Sequence, residues 1–360
     1  MATDKDGREW LVAVAKGTYS MPDGAEREPI LLDEQAPLVM TDVFTGMPGL
    51  SATLYEIDFA LRKMYCDVVL NGSCYAPRGR PATKVQVGLR VGRLTKSFNV
   101  VGNRVWRSNS VLSRASSPEP FTVQPISYGN AYGGIDKPSD DPATHTWYPL
   151  NHAGLGYHPR TSGAALSGKP LPNTEEVGRP VSRPDGSYLP MAFGCVGRGW
   201  QQRIKWAGTY DQKWRDETFP FLPSDFDERY FQSAPEDQQT DFLRGGEEVV
   251  LVHLTPSGRA EFRIPPIDEP FVVLYKDGEE KRVSGVVDTL VLEPDLGRFM
   301  LSLRASLPLR RSLHEIREVT IGRALIQPVA EEGEEPPVVP KPRYRSLAEL
   351  VAANRRAGVK

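Results

Sequence analysis

The chain has 360 residues, of which 32 are glycine and 32 proline, together about 18% against the ~12% of average usage. Both residues punctuate helices, which excludes a long helical bundle, a coiled coil or a helical repeat array. With 44 basic and 46 acidic residues the net charge is −2, so no overall field favours nucleic acid or an anionic membrane, and neither is an expected partner.

Residues 1–10 are polar and charged, without the basic start and apolar run of a signal peptide. No stretch approaches the ~20 apolar residues that cross a bilayer. Cys66, Cys74 and Cys195 have no metal-like spacing and are too few for a disulfide framework in a chain this long, so they read as reduced thiols. The expected location is cytoplasmic.

In chain order, 10–16 (WLVAVAK) fits a buried strand, and 53–61 and 64–76 are rich in aromatic and β-branched residues. The clearest alternation is 84–91. Val85, Val87, Leu89 and Val91 share one face there, and Lys84, Gln86 and Arg90 take the other. The run 94–101 ends at Gly102-Asn103 and restarts at Val105-Trp106, which predicts a hairpin. Residues 125–200 hold 22 glycines and prolines interleaved with Tyr128, Tyr132, Trp147, Tyr148, Tyr157, Tyr188, Phe193 and Trp200. Disordered segments are poor in such rings, so this stretch reads as ordered, irregular loops. A weak helical signal covers 235–243. Three turn signals, Thr255–Gly258, Asp277-Gly278 and Pro294–Gly297, then predict antiparallel hairpins across 249–304. No strand–helix–strand rhythm supports a parallel α/β sheet.

Residues 327–342 form an acidic, proline-rich linker with Glu331, Glu332, Glu334 and Glu335. Beyond it Ser346 can cap a short helix with Leu347, Leu350 and Val351 on one face. That helix suits docking on a partner, folding back on its own domain, or a frayed tail. The expected organisation is an N-terminal β region (1–125), a long-loop aromatic-rich region (126–244), C-terminal β hairpins (245–325), the linker (326–343) and an amphipathic helix or tail (344–360). The expected fold is mainly β, with antiparallel sandwich-like sheets, long irregular loops rich in glycine, proline and aromatics, and a short C-terminal helix.

Chemistry is hard to find in the sequence. His145, His152 and His158 lie near Asp140 and Asp141, but their spacings put no pair on one helix face, so ordinary loop histidines are expected and no metal site. The glycine-rich 128–134 stretch lacks the terminal Lys-Ser/Thr of a phosphate loop and the strand-to-helix setting. No G-x-S-x-G elbow occurs, and Cys195 has no base beside it in sequence. Carboxylates remain. Glu56 and Asp58 are expected on one strand face, Asp225 and Asp227 flank Phe226, and Asp211 follows Tyr210. Beside a cleft of Trp147, Trp200, Trp206 and Trp214 these acids would suit a carbohydrate-active enzyme or sugar-binding module, although they fit solvated strand and turn positions equally well. No cofactor or catalytic residue is expected.

The most distinctive segment is 200–227, with three tryptophans and three phenylalanines among charged residues. Such side chains serve either a core or an interface. Its run Trp200, Arg203, Gly208, Thr209, Tyr210, Asp211, Trp214 resembles a hallmark of the bacterial domain-of-unknown-function family numbered 2169. Leu222–Asp227, Ala234–Gln238 and Gly245–Glu247 are similar to its next blocks, in the same order. Upstream, Val14–Tyr19 resembles the family's opening strand, Tyr128–Gly134 its tyrosine-glycine block and Leu171–Glu175 its L-P-N block. Asn151–Gly156 has histidine where the family pattern has proline.

This resemblance, over residues 10 to 310, implies a type VI secretion accessory role, since members are typically encoded beside spike, PAAR-tip and toxin proteins. It implies a non-enzymatic adaptor or chaperone that stabilises a PAAR-type tip protein or its toxin effector for loading onto the spike protein. The expected mechanism is burial of an aggregation-prone surface on the partner. The expected contacts are Trp200, Trp206, Tyr210 and Trp214, with Leu347, Leu350 and Val351 as a second, tethered one.

Overall fold

The computed structural model describes residues 2–22, 28–44, 53–109, 111–126, 167–168, 173–180, 193–196, 225–267 and 270–322. Within them the protein is mainly β, as the alternating runs require, and its two largest sheets face each other across one apolar core. The expected C-terminal helix and most of the 126–224 loop region lie outside the described residues.

The first sheet has six strands, in the order Ala2–Thr3, Glu9–Ser20, Arg298–Pro308, Val286–Glu293, Cys66–Leu70 and Gln239–Thr240. Its longest pairing is the antiparallel one of Glu9–Ser20 with Arg298–Pro308, in register from Trp10↔Pro308 to Ser20↔Arg298. The second sheet has five, in the order Thr174–Glu175, Leu94–Val101, Lys84–Val91, Glu248–Val252 and Arg259–Arg263. Each large sheet therefore draws strands from both the N-terminal and the C-terminal β regions. A third, three-stranded sheet of Glu280–Val283, Phe271–Tyr275 and Ile316–Ile321 packs Val273 and Tyr275 against Leu307 of the first sheet.

The core follows from period-2 patterning. Val85, Val87, Leu89 and Val91 are buried, and Lys84, Gln86 and Arg90 are exposed. Across from them stand Val68, Leu70, Leu290, Leu292, Phe299, Leu301 and Leu303. Phe299 stacks on Phe262 of the second sheet with centroids 5.0 Å apart, so one ring contact joins the two layers. Each such side chain contributes roughly 1.5–3 kcal/mol by leaving water.

All three predicted hairpins form: Glu248–Val252 with Arg259–Arg263, Phe271–Tyr275 with Glu280–Val283, and Val286–Glu293 with Arg298–Pro308. The last turns through a 3-10 segment, Pro294–Leu296, closed by Gly297 at φ 60°, a left-handed conformation that glycine adopts without strain.

Three features depart from expectation. Leu94–Val101 does not turn back on 105–106; it pairs with Lys84–Val91, while Trp106–Ser108 pairs with Ser113–Ala115. At Gly102 the chain presses against the Glu119 backbone, where a Cβ would lie 1.8 Å from the carbonyl oxygen. The weak helical signal at 235–243 becomes a 3-10 turn, Glu236–Gln238, and the edge strand Gln239–Thr240. The Gln238 side chain is drawn inward, where Nε2 donates to the carbonyls of Val68 (2.7 Å) and Phe193 (2.9 Å). Finally, Cys66–Leu70 and Val286–Glu293 pair in parallel, with Thr289 opposite Asp67.

Irregular chain also bonds to the flanks of the first sheet. On one side the Leu70 N–H donates to Phe193 O and the Gln238 amide substitutes for a neighbouring strand. On the other, Leu32 N–H donates to Thr18 O and Ser20 N–H to Ile30 O.

Candidate functional site: the polar outer face of the six-stranded sheet

The face of the first sheet turned away from the sandwich core carries an unusual load of buried charge. Alternation places Asp67 and Val69, Thr289 and Val291, Lys16 and Thr18, and Met300, Ser302 and Arg304 on that face. A register shift between Val287 and Thr289 inserts Asp288 as an extra residue. This bulge leaves Val287 in the core while Thr289 joins the outer face, and it puts the buried Asp288 carboxylate on the Arg304 Nε–H.

Two irregular segments are fastened over this face. Along 57–63, the Asp58 carboxylate accepts from Lys16 Nζ at 2.7 Å and from Val39 N–H at 2.6 Å. The Ala60 carbonyl accepts from Arg304 Nη1 at 2.8 Å and the Leu61 carbonyl from Ser306 Oγ at 2.7 Å. Lys63 Nζ donates to Asp67 Oδ2 at 2.6 Å and to Thr289 Oγ1 at 2.9 Å. The second segment, 232–234, closes over Asp67. That carboxylate accepts from Ser233 N–H (2.8 Å), Ser233 Oγ (3.0 Å), Ala234 N–H (3.1 Å) and Gln232 Nε2 (2.8 Å). A buried charge costs several kcal/mol unless it is met by a counter-charge and donors, and here both are present.

Electrostatics follow from the same geometry. Burial alone would lower the Lys63 pKa, but the Asp67 and Asp288 carboxylates outweigh it and hold the ammonium above its ordinary value. Burial, reinforced by the Glu293 carboxylate that accepts its hydroxyl, pushes the Tyr55 phenol up to about 12. Burial also pushes the Cys195 thiol up to about 12. At neutral pH such a thiol is not a nucleophile.

Between these segments lies a cavity of about 20 Å³, lined among others by Lys16, Glu56, Asp58, Lys63, Cys195 and Arg304. That volume holds about one water and no organic ligand. The arrangement can therefore fix two segments of chain on a sheet.

Glu56 and Asp58 do not share a strand face as expected. The strand there is only Thr53–Tyr55, so Glu56 and Asp58 lie past its end, and Asp58 is spent on Lys16 and Val39. Asp227 caps the 3-10 turn Glu228–Phe231 and binds Arg229. The expected partner-binding residues Trp200, Trp206, Tyr210, Trp214, Leu347, Leu350 and Val351 lie outside the described residues, as do Trp147, Asp211 and the three clustered histidines. Sequence reasoning missed Lys63, Asp67, Asp288 and Arg304. A usable signal was Asp67 within the otherwise apolar run 66–70, since a charge on a fully buried strand demands a partner.

A family model described as "Uncharacterized protein conserved in bacteria (DUF2169)" matches residues 6–304, which hold the whole second sheet and most of the first. No curated protein and no solved structure matches the chain. Among the described residues, no helix is long and apolar enough to cross a membrane.

Proposed function

The chain belongs to the DUF2169 family, and on that premise we propose that it is a non-enzymatic cytoplasmic adaptor that binds a PAAR-type tip protein or its toxin effector before loading onto a type VI secretion spike. The observation that carries this reading is a group of exposed apolar side chains held on fastened chain. Leu38 and Met40 (66% exposed) lie on an irregular segment that leads into Val43 on the short strand Val43–Phe44, and Phe59, Met64 and Tyr65 lie on another irregular segment. The two segments are joined by the Asp58 N–H donating to Val39 O at 2.9 Å and by Val39 N–H donating to the Asp58 carboxylate. Gln232 Oε1 accepts from the N–H groups of Met64 and Tyr65.

Apolar side chains on backbone that is already ordered lose little entropy on association, which suits an interface. The buried charge network beneath supports this role by fixing the platform. In this reading Trp200, Trp206, Tyr210 and Trp214 extend the contact, and Leu347, Leu350 and Val351 supply a tethered one.

Co-expression with the neighbouring tip or toxin protein, followed by pull-down, tests the proposal. The expected outcome is a soluble complex that loses at least about tenfold in affinity in the Met40→Glu/Phe59→Glu variant. A tip protein that is equally soluble and unbound without this chain rejects it. Hydrolysis of an oligosaccharide by the purified chain would instead favour the carbohydrate reading.

A further inference from the structure

We propose that the solvent face of the hairpin formed by Trp106–Ser108 and Ser113–Ala115 is a docking face for an acidic, extended segment of a partner protein. The hairpin is two-sided. Toward the protein it presents Trp106, 2% exposed, and Ser113, 4% exposed, and the hydroxyls of Ser108 and Ser113 bond across the strands at 2.7 Å. Its register pairs Arg107 directly with Arg114. One residue pair on either side, Val105 N–H donates to Ser116 Oγ, and Asn109 N–H donates to Leu112 O at 3.0 Å. Strand alternation therefore places Val105, Arg107, Leu112 and Arg114 on one solvent-facing surface, with Val111 83% exposed at the tip.

Like charges directly opposite each other on a sheet destabilise it. Neither guanidinium forms an ion pair with a described residue, whereas exposed Arg259 and Arg282 have Glu261 at 3.2 Å and Glu280 at 2.9 Å. An unneutralised arginine pair between two exposed aliphatic side chains is complementary to carboxylates beside apolar residues. Opposed residues in an antiparallel pair have Cα atoms ~4.5–5.5 Å apart. Alternate residues of an extended peptide recur every ~6.6–6.8 Å on one face. Two flexible arginines can thus each engage, bidentately, one of two acids at alternate positions. Val105 and Leu112 then cover the neighbouring apolar side chains. An anionic membrane is a poorer match, since stable electrostatic attachment takes a cluster of about four to eight cations.

The inference stands apart from the adaptor reading, because the hairpin, a two-stranded sheet of its own, shares no residue with the Met40 and Phe59 group and is tested without the tip protein. The experiment measures fluorescence anisotropy of a labelled peptide of about eight residues with alternating glutamate and leucine, titrated with the full chain. A glutamine-for-glutamate peptide and phosphatidylserine vesicles are run in parallel. Exposed ion pairs are individually weak, so we expect salt-sensitive binding, falling at least about fivefold between roughly 50 and 500 mM salt. We expect a further loss of at least about tenfold in Arg107→Ala/Arg114→Ala. The melting temperature of that variant should be unchanged or raised, because repulsion is removed. Binding of the glutamine peptide as tightly, unchanged binding by the double variant, no peptide binding at low salt, or binding of vesicles alone overturns the proposal.

Discussion

Lys63 Nζ lies 2.6 Å from Asp67 Oδ2, both side chains are buried, and this contact fastens an irregular segment to the last full-length strand of the six-stranded sheet. The same carboxylate takes the donors of 232–234, so one residue positions two segments that are more than 160 residues apart in sequence.

Removing that carboxylate should therefore be costly. Asp67→Ala strands an ammonium and four further donors in the interior and should lose about 3–5 kcal/mol in urea unfolding. Replacing both partners, as in Lys63→Met/Asp67→Leu, should lose less than the sum of the single changes, because neither charge is then orphaned. Strictly additive losses would show that the pair is not coupled. Since the Lys63 pKa is raised, its contribution is complete at neutral pH and disappears only as pH rises above the ordinary lysine range.

Lys96 behaves in the opposite sense. It points into the apolar interior beside Phe98 and Phe193, with Asp237 at 2.7 Å, and burial lowers its pKa to about 8 despite that carboxylate. Between about pH 8 and 10.5 the unfolded chain binds the proton more tightly, so this residue makes stability rise with pH in that window. The full effect is of order 3 kcal/mol. The buried thiols act the other way above pH 9, so the comparison must be with Lys96→Met. Wild type should gain stability relative to that variant across the window, and parallel pH profiles would refute the assignment.

Cys74 and Cys195 are pushed to about 12 and Cys66 well above the usual thiol value, all by burial, and all three are free. Iodoacetamide at pH 8 should label them at least about a hundredfold more slowly in the native chain than in denaturant. Intact-mass measurement over time gives the answer; equal rates would mean that the thiols are reachable.

His253 sits at φ 57°, a left-handed conformation that costs a non-glycine residue roughly 1–2 kcal/mol. Its N–H donates to Gly258 O at 2.8 Å and closes the turn between two strands of the second sheet. His253→Gly and His253→Asn should be neutral or stabilising by up to about 1 kcal/mol. A large loss in both would assign the imidazole a contact of its own.

Gly102→Ala makes the reverse test. Its Cβ would fall 1.8 Å from Glu119 O, a backbone atom that cannot swing aside. A loss of about 3 kcal/mol or more in thermal or chemical unfolding is expected, since overpacking against backbone exceeds the usual core penalty. A change under about 0.5 kcal/mol would show that the 102–119 contact yields freely.

What the sequence determined by itself was local. The 84–91 strand was legible because burial on one face leaves a period of two, and the hairpins at 249–304 were legible because each turn needs particular residues at fixed positions. Leu94–Val101 was read correctly as a strand, but its partner was not, because pairing leaves no mark in the strand itself. The tertiary structure alone decided that Cys66–Leu70 would lie parallel to Val286–Glu293 and that Glu9–Ser20 would meet Arg298–Pro308. It also decided that Lys63 and Asp67, Asp288 and Arg304 would be buried together. A single charge within an apolar strand announces that it needs a counter-charge. Which residue supplies it depends on the register of distant strands, and that register is set by how two whole faces close over one core.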